Sequence, residues 1–397
     1  MTRAIYLTLL LFTLSACSAV PRLPSVPETE IQRAQIAGFT DVRYFSDSLD
    51  DIARMQQEVI VTWQREQQWF AQQQQLTASG QLPTSHILAL SGGGDKGAYG
   101  AGFLNGWTTA GTRPEFSLVT GISTGALIAP FAFLGSDYDP VLTELYTNSS
   151  SKDILKQRWP IAALNDDAMA DTAPLRAQLE RYITPELLAK IALEYQKGRE
   201  LLISTTNIDA GRNVIWNMTK IAATDHPKAV QLFRDVMLAS ASIPGAFPPV
   251  LFEVELDGQV YHEMHVDGGA TSQVFVYPPN LDLHDIAEHY HGQRERQLYV
   301  IMNARLDPNW AQTERRTISI AARAISSMIQ TQGIGDLYRI YLTTLADDVN
   351  FNLAFIPSEF NTKPETQFDT EFMRALYQVG YQQALAGYQW QQVPPGF

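Results

Sequence analysis

The chain of 397 residues carries a single cysteine, Cys17. A disulfide framework is therefore excluded, and the fold must stand on its apolar core. No block of five or more Lys/Arg occurs, and the net charge is −13. Phosphate neutralisation needs clustered basic side chains, so nucleic acid is not the expected partner. The same negative charge gives no electrostatic reason to sit on an anionic membrane. Histidine is scarce, at seven residues, which narrows the choice of general bases. What is present is ordinary for a globular protein: 45% hydrophobic and 18% charged residues, in a length that supports a sizeable core.

The one long apolar run is N-terminal. Arg3 precedes Ala4 to Leu14, a stretch well short of the roughly 20 residues a bilayer span needs. Leu14-Ser15-Ala16-Cys17 resembles the lipobox of bacterial lipoproteins. That resemblance implies a signal peptide over 1–16, a diacylglycerol thioether on Cys17 and acylation of its new amine. Two or more acyl chains anchor stably, whereas one is marginal. Ser18, where Asp would imply inner-membrane retention, implies an outer-membrane destination facing the periplasm. An ordinary secretory signal is the plain alternative.

Residues 17–45 read as a lipidated tether, proline-rich from Val20 to Pro27. Residues 46–82 read as a helical segment. Leu49, Ile52, Met55, Val59, Trp63 and Phe70 recur at helical spacing behind the possible caps Ser46, Asp47 and Ser48. From Thr84 onward, short apolar runs alternate with helical ones. Strands are expected at His86–Ser91, Phe116–Thr120, Leu201–Thr205, Asn213–Trp216 and Gln297–Met302, with helices at Gly97–Thr109 and Thr124–Leu134. That alternation predicts an α/β fold of three layers, with a mostly parallel central sheet between helices. Thr317–Ala346 reads as one or two helices interrupted near Gly333-Ile334-Gly335, and Thr370–Tyr388 as a last helix. The expected catalytic domain spans 83–350, with 351–397 a strand-and-helix extension packed on it.

Three motifs carry chemistry. Gly92-Gly93-Gly94-Asp95-Lys96-Gly97 lies between a strand and a helix. Its free N–H groups can form a cradle for a phosphate or for the oxyanion of acyl transfer. The run matches G-x-G-x-x-G on paper but lacks the P-loop spacing. Gly121-Ile122-Ser123-Thr124-Gly125 is G-x-S-x-G in strand–turn–helix context, the setting that exposes a serine hydroxyl. It follows the glycine loop by about 30 residues, one βαβ unit, so both can reach one sheet edge. Asp267-Gly268-Gly269 ends the alternating run Val260–Val266. Alone, such a triplet is a plain turn. None of the histidines falls in a recognisable motif. His265 shares a strand face with Asp267 and competes with it as a base, and His262-Glu263-His265 lacks the H-E-x-x-H zinc spacing.

Together, and in this order, the three motifs resemble the patatin-like phospholipase family. A fourth block, Ala239-Ser240-Ala241-Ser242-Ile243-Pro244, resembles the family's A-S-x-x-x-P. The resemblance covers roughly Ser85 to Asn303. It implies a carboxylic ester hydrolase acting on phospholipid or other acyl-ester lipid through an acyl-enzyme, without metal or cofactor. It implies Ser123 as nucleophile and Asp267 as a base that takes its proton directly. The oxyanion hole would be Gly92, Gly93 and Gly94, with Lys96 adding positive charge; a solvated helix-start lysine is the plain alternative for Lys96. An acyltransferase or thioesterase on the same dyad, or a non-catalytic lipid- or partner-binding lipoprotein, are the competing readings. The segment Asp137–Pro185 is expected to supply part of an acyl pocket or a lid.

Overall fold

The computed structural model describes residues 20–78, 80–158, 167–284, 286, 294–308 and 310–397. Cys17 and the signal-peptide reading lie outside the described residues.

Twelve strand segments occur in chain order among the described residues: β1 (Gln35–Ile36), β2 (Arg43–Phe45), β3 (Ser85–Leu90), β4 (Leu118–Gly121), β5 (Lys156–Gln157), β6 (Ala170–Asp171), β7 (Glu200–Asn207), β8 (Arg212–Asn217), β9 (Val250–Leu256), β10 (Gln259–Asp267), β11 (Arg296–Met302) and β12 (Val349–Phe355). The helices are α1 (Leu49–Gln72), α2 (Gly97–Thr109), α3 (Thr124–Leu134), α4 (Asp139–Thr147), α5 (Ser151–Ile154), α6 (Ala173–Tyr182), α7 (Pro185–Gln196), α8 (Met218–Ala222), α9 (Ala229–Ser240), α10 (Thr317–Ala346) and α11 (Thr370–Leu385).

The centre of the main sheet is parallel throughout, in the order β7-β4-β3-β11-β12. These strands read as continuous apolar runs because helices cover both faces. An antiparallel wing extends from β7 through β10 and β9 to β1, while β8 also pairs with β7 and carries β2 on its other side. Alternation along β9, buried residue against exposed, marks a strand with one wet face. The mixed α/β architecture with helix-flanked sheet is thus the one the alternation predicts; the wing is an addition to it.

Three segments differ from expectation. The stretch 17–45 is not a tether over its whole length. Val26, Phe39 and Val42 are buried, and β1 and β2 pair with β9 and β8. The reason is a buried cation: Arg43 of β2 pairs with Glu263 of β10 and pins the segment to the sheet. The 351–397 extension is integral, since β12 completes the parallel centre and α11 packs along α2. Tyr377 and Tyr381 lie so close to Gly102 and Gly106 that no side chain fits between. Last, α10 is one continuous helix with no break at Gly333. Gly333 faces Met302 and Gln273 at contact distance, so it serves close packing.

Candidate active site

The elements converge at the carboxyl edge of the parallel strands, the usual site of α/β chemistry. β3 ends in the glycine loop. Gly93 has φ 157° and Gly94 φ 61°. A Cβ on Gly93 would lie 2.4 Å from the Asn303 carbonyl, so only glycine lets the loop pass there. Fully buried Asn303 braces this loop. Its backbone N–H donates to Ser91 Oγ at 2.7 Å, its Nδ2 donates to the Ser91 carbonyl at 2.9 Å, and its Oδ1 accepts from the Gly100 N–H at 3.0 Å.

β4 turns into α3 through Ser123, which has φ 55° and ψ −124°. A left-handed serine is strained, and such strain collects where a side chain must be presented at a sharp turn. Gly125 makes the turn possible, since a Cβ there would lie 2.3 Å from the Leu90 carbonyl. The elbow is also held from below. Ser240, the last residue of α9, accepts from the Ser123 N–H at 3.0 Å and donates to the Ser204 carbonyl at 2.7 Å. Two residues on, the Ser242 carbonyl accepts the Asp267 N–H at 2.8 Å. The A-S-x-x-x-P block therefore ties the Ser123 turn to the Asp267 strand end. Sequence reading noted the block but not this task. We expect Ser240→Ala to lower the kcat of any turnover at Ser123 about 10-fold, roughly 1.4 kcal/mol, with KM little changed, because it frees a buried N–H beside the Ser123 hydroxyl. A steady-state comparison checks it, and an unchanged kcat would remove Ser240 from the positioning machinery.

Asp267 ends β10 and is buried, 4% exposed. Burial pushes its carboxyl up to about 7, although hydrogen bonds from the Ser123 hydroxyl and the Gly269 N–H oppose the rise. The Gly269 bond is 2.7 Å. The loop beyond is clamped to α10, where Asp336 accepts the Gln273 N–H at 2.6 Å, and Gln273 Nε2 donates to the Gly269 carbonyl at 2.7 Å.

The glycine loop lies against this pair: a Cβ on Gly92 would sit 3.3 Å from Ser123 Cβ. One predicted donor is corrected. The Gly92 N–H donates to the Gln273 carbonyl at 2.9 Å and is not available to an oxyanion. Among the described residues no backbone acceptor takes the N–H of Gly93 or Gly94, so the donor set narrows to those two. Lys96 is exposed and neighbours Asp95.

His265 is not brought to the serine. It is fully buried, with Nδ1 2.8 Å from Thr205 Oγ1 and Nε2 3.2 Å from Glu263 Oε2, between the rings of Trp216 and Phe252. Among the described residues no group of three or more His, Cys, Asp or Glu could hold a metal ion.

Ser123 and Gly94 open into an apolar cavity of about 790 Å³, its mouth included. Leu145, Leu179 and Tyr182 line it from within 137–185, the segment expected to contribute. Phe368 and Met373, from the C-terminal segment, close another side and were not anticipated. The Asp95 carboxylate accepts a hydrogen bond from the Phe368 backbone, tying that wall to the glycine loop.

Comparison with known proteins returns one family: residues 88–279 match the patatin-like phospholipase model. Among solved structures, the chain is similar to VipD from Legionella pneumophila, at 13% identity over 78% of this chain and 68% of that one, with a TM-score of 0.37. It is also similar to the type III effector protein ExoU, at 14% identity over 79% and 56%, with a TM-score of 0.27. Likenesses this distant carry no weight for activity. No curated protein matches the sequence.

Proposed function

With residues 88–279 belonging to the patatin-like phospholipase family, we propose that the protein is a serine lipid acyl hydrolase working through Ser123 and Asp267. One observation carries this reading. A strained serine donates to a buried carboxylate that holds its proton up to about pH 7, at the mouth of an apolar cavity.

The chemistry follows from the placement. A carboxylate is ordinarily too weak a base for a serine hydroxyl; burial strengthens it. Asp267 takes the Ser123 proton as Oγ bonds to the ester carbonyl carbon. The carbonyl oxygen becomes an oxyanion facing the N–H groups of Gly93 and Gly94, donors typically worth about 3–4 kcal/mol each. Collapse expels the alcohol, which takes the proton back from Asp267, and leaves an acyl-enzyme. Water, deprotonated by Asp267, then attacks the acyl carbon; the bond to Ser123 Oγ breaks, Oγ takes the proton back from Asp267, and the fatty acid is released. The cavity is walled by Leu127, Phe131, Leu179 and Met237, so it suits an alkyl chain and shields that chain from water.

The finer proposals rest on the sequence. Lipidation of Cys17 would anchor the enzyme to a bacterial outer membrane on its periplasmic side. The test is fatty-acid release from mixed phospholipid vesicles, run beside labelling with a fluorophosphonate probe. We expect release and a label lost in Ser123→Ala. Labelling without release, but with acyl transfer to an added acceptor alcohol, would turn the reading to a transferase. Neither label nor release from folded protein would end it.

A further inference from the structure

Among the described residues, no buried side chain lies in the first half of α10. Residues 320–329 of this helix are exposed almost throughout, with Ile320 53%, Ile325 56%, Met328 69% and Ile329 45% exposed. A helix that shows isoleucine and methionine to solvent over several turns is not explained by the fold it belongs to. Just before it, Trp310 is 85% exposed.

Its position follows from three contacts. Gln330 Nε2 donates to the Asp307 carbonyl at 2.6 Å, Gln332 Oε1 accepts from Gln273 at 2.9 Å, and Asp336 holds the Gln273 N–H. Gln273 in turn anchors Gly92 and Gly269, so this level of α10 is the level of the catalytic loops. The helix then descends along the sheet and feeds β12 at Val349, paired with the start of β11 at Arg296. Thr317 to Gln330 must therefore rise beyond the sheet edge on the Ser123 side, by roughly 20 Å at 1.5 Å per residue.

Charge selects the occupant. From Arg315 to Gly335 the chain has no Asp or Glu, while Arg315, Arg316 and Arg323 are present, in a protein of net charge −13. Arg316 lies 3.5 Å from Glu314 at the base of this stretch. A cationic, apolar projection with an exposed tryptophan fits the boundary between acyl chains and anionic headgroups, where tryptophan rings settle and arginines reach phosphate. Among the described residues no helix is long and apolar enough to cross a membrane.

We propose that residues 310–329 are the lipid-docking element of this protein, seating the Ser123 edge on an anionic lipid surface. The proposal deepens the hydrolase reading by giving its substrate as lipid in an assembled surface, and its test is built to fail separately from that reading. The full chain carries Cys17→Ser, which leaves neither a native thiol nor a lipidation site. Met328→Cys is labelled with an environment-sensitive fluorophore, and Leu193→Cys, 55% exposed on α7, serves as the control. We expect vesicles of phosphatidylglycerol to shift the label at 328 to the blue and shield it at least 5-fold from aqueous iodide, with little change at 193. High salt should weaken the effect.

Equal responses at the two positions, or none at 328, would overturn the proposal. Shielding at 328 that grows with protein concentration and needs no lipid would also overturn it, in favour of a second copy of the chain. These readouts need no turnover. The second arm compares Ile325→Asp/Met328→Asp with wild type. Vesicle hydrolysis should fall at least 10-fold while turnover of a short, water-soluble ester is retained. Equal loss on both substrates would count against docking.

Discussion

Replacing Ser123 by Ala is expected to cut fatty-acid release by at least about 10⁴-fold, roughly 5 kcal/mol of transition-state stabilisation. The side chain removed is the only atom set that bonds to the substrate in this mechanism. Asp267→Asn should cost nearly as much, about 10³–10⁴-fold, because an amide fits the site but takes no proton. The acid limb of wild-type kcat/KM should follow the Asp267 carboxyl, rising with pH and levelling off above about 7.

The same residue makes a prediction about stability with a definite sign. Folded Asp267 keeps its proton to about pH 7, against 3.8 for an ordinary carboxyl. Between those values the folded state binds more protons than the unfolded one, so stability falls as pH rises through this window and stays lower above it. Asn carries no such dependence. Asp267→Asn should therefore melt above wild type at pH 8, by something like 2–4 kcal/mol of added stability, with the gain disappearing towards pH 4. Melts across that range check it. A gain of equal size at pH 4 and pH 8 would mean that Asp267 is ionised in the folded protein well below pH 7, and the direct-base mechanism would lose its support.

Part of this site was legible in the chain and part was not, for physical reasons. The bounds of α2 and α3 read directly off the sequence because each begins at a glycine-flanked turn and runs on unbroken apolar or small residues. That Ser123 and Asp267 stand together is a different kind of fact. It depends on β4 and β10 both flanking β7, and β10 does so in an antiparallel wing whose register links residues as far apart as Gln35 and Glu255. No local pattern encodes such pairing. Asn303 and Ser240 were invisible as braces because a polar side chain's partner is fixed only once the chain is folded. The same holds for Gly92, a loop glycine like its neighbours until the Gln273 carbonyl claims its N–H. At Gly333 a general rule about glycine lost to a packing demand specific to Met302 and Gln273.

Glu263→Ala is expected to destabilise the protein by about 3–5 kcal/mol, a large fraction of the total for any domain. Glu263 and Arg43 are 2% and 5% exposed. Arg43 donates through both terminal nitrogens to Glu263 and also to the Ala34 carbonyl at 2.9 Å, with its guanidinium near the faces of Phe45 and Trp216. Burial alone would push the Glu263 carboxyl up, but Arg43 and His265 overcome that and hold it at about 2. Truncating the glutamate strands a buried cation with no counter-charge, which costs more than the pair itself contributes. Acid should act in the same direction. Burial holds the folded His265 below its ordinary value, so stability declines as pH falls below about 6.5 and the unfolded histidine takes up a proton. The Glu263 contribution is complete above about 4.5 and lost as pH drops towards 2. Arg43→Met/Glu263→Leu removes both charges at similar volume and should recover most of the melting temperature lost in the single variant. Its activity then separates two roles. β10 carries Glu263 and, four residues on, Asp267, so the ion pair sits on the strand that carries the proposed base. A double variant that regains stability and full kcat makes the pair a clasp for the N-terminal strands. One that regains stability but stays at least 10-fold slow makes Arg43 and Glu263 positioning residues for Asp267.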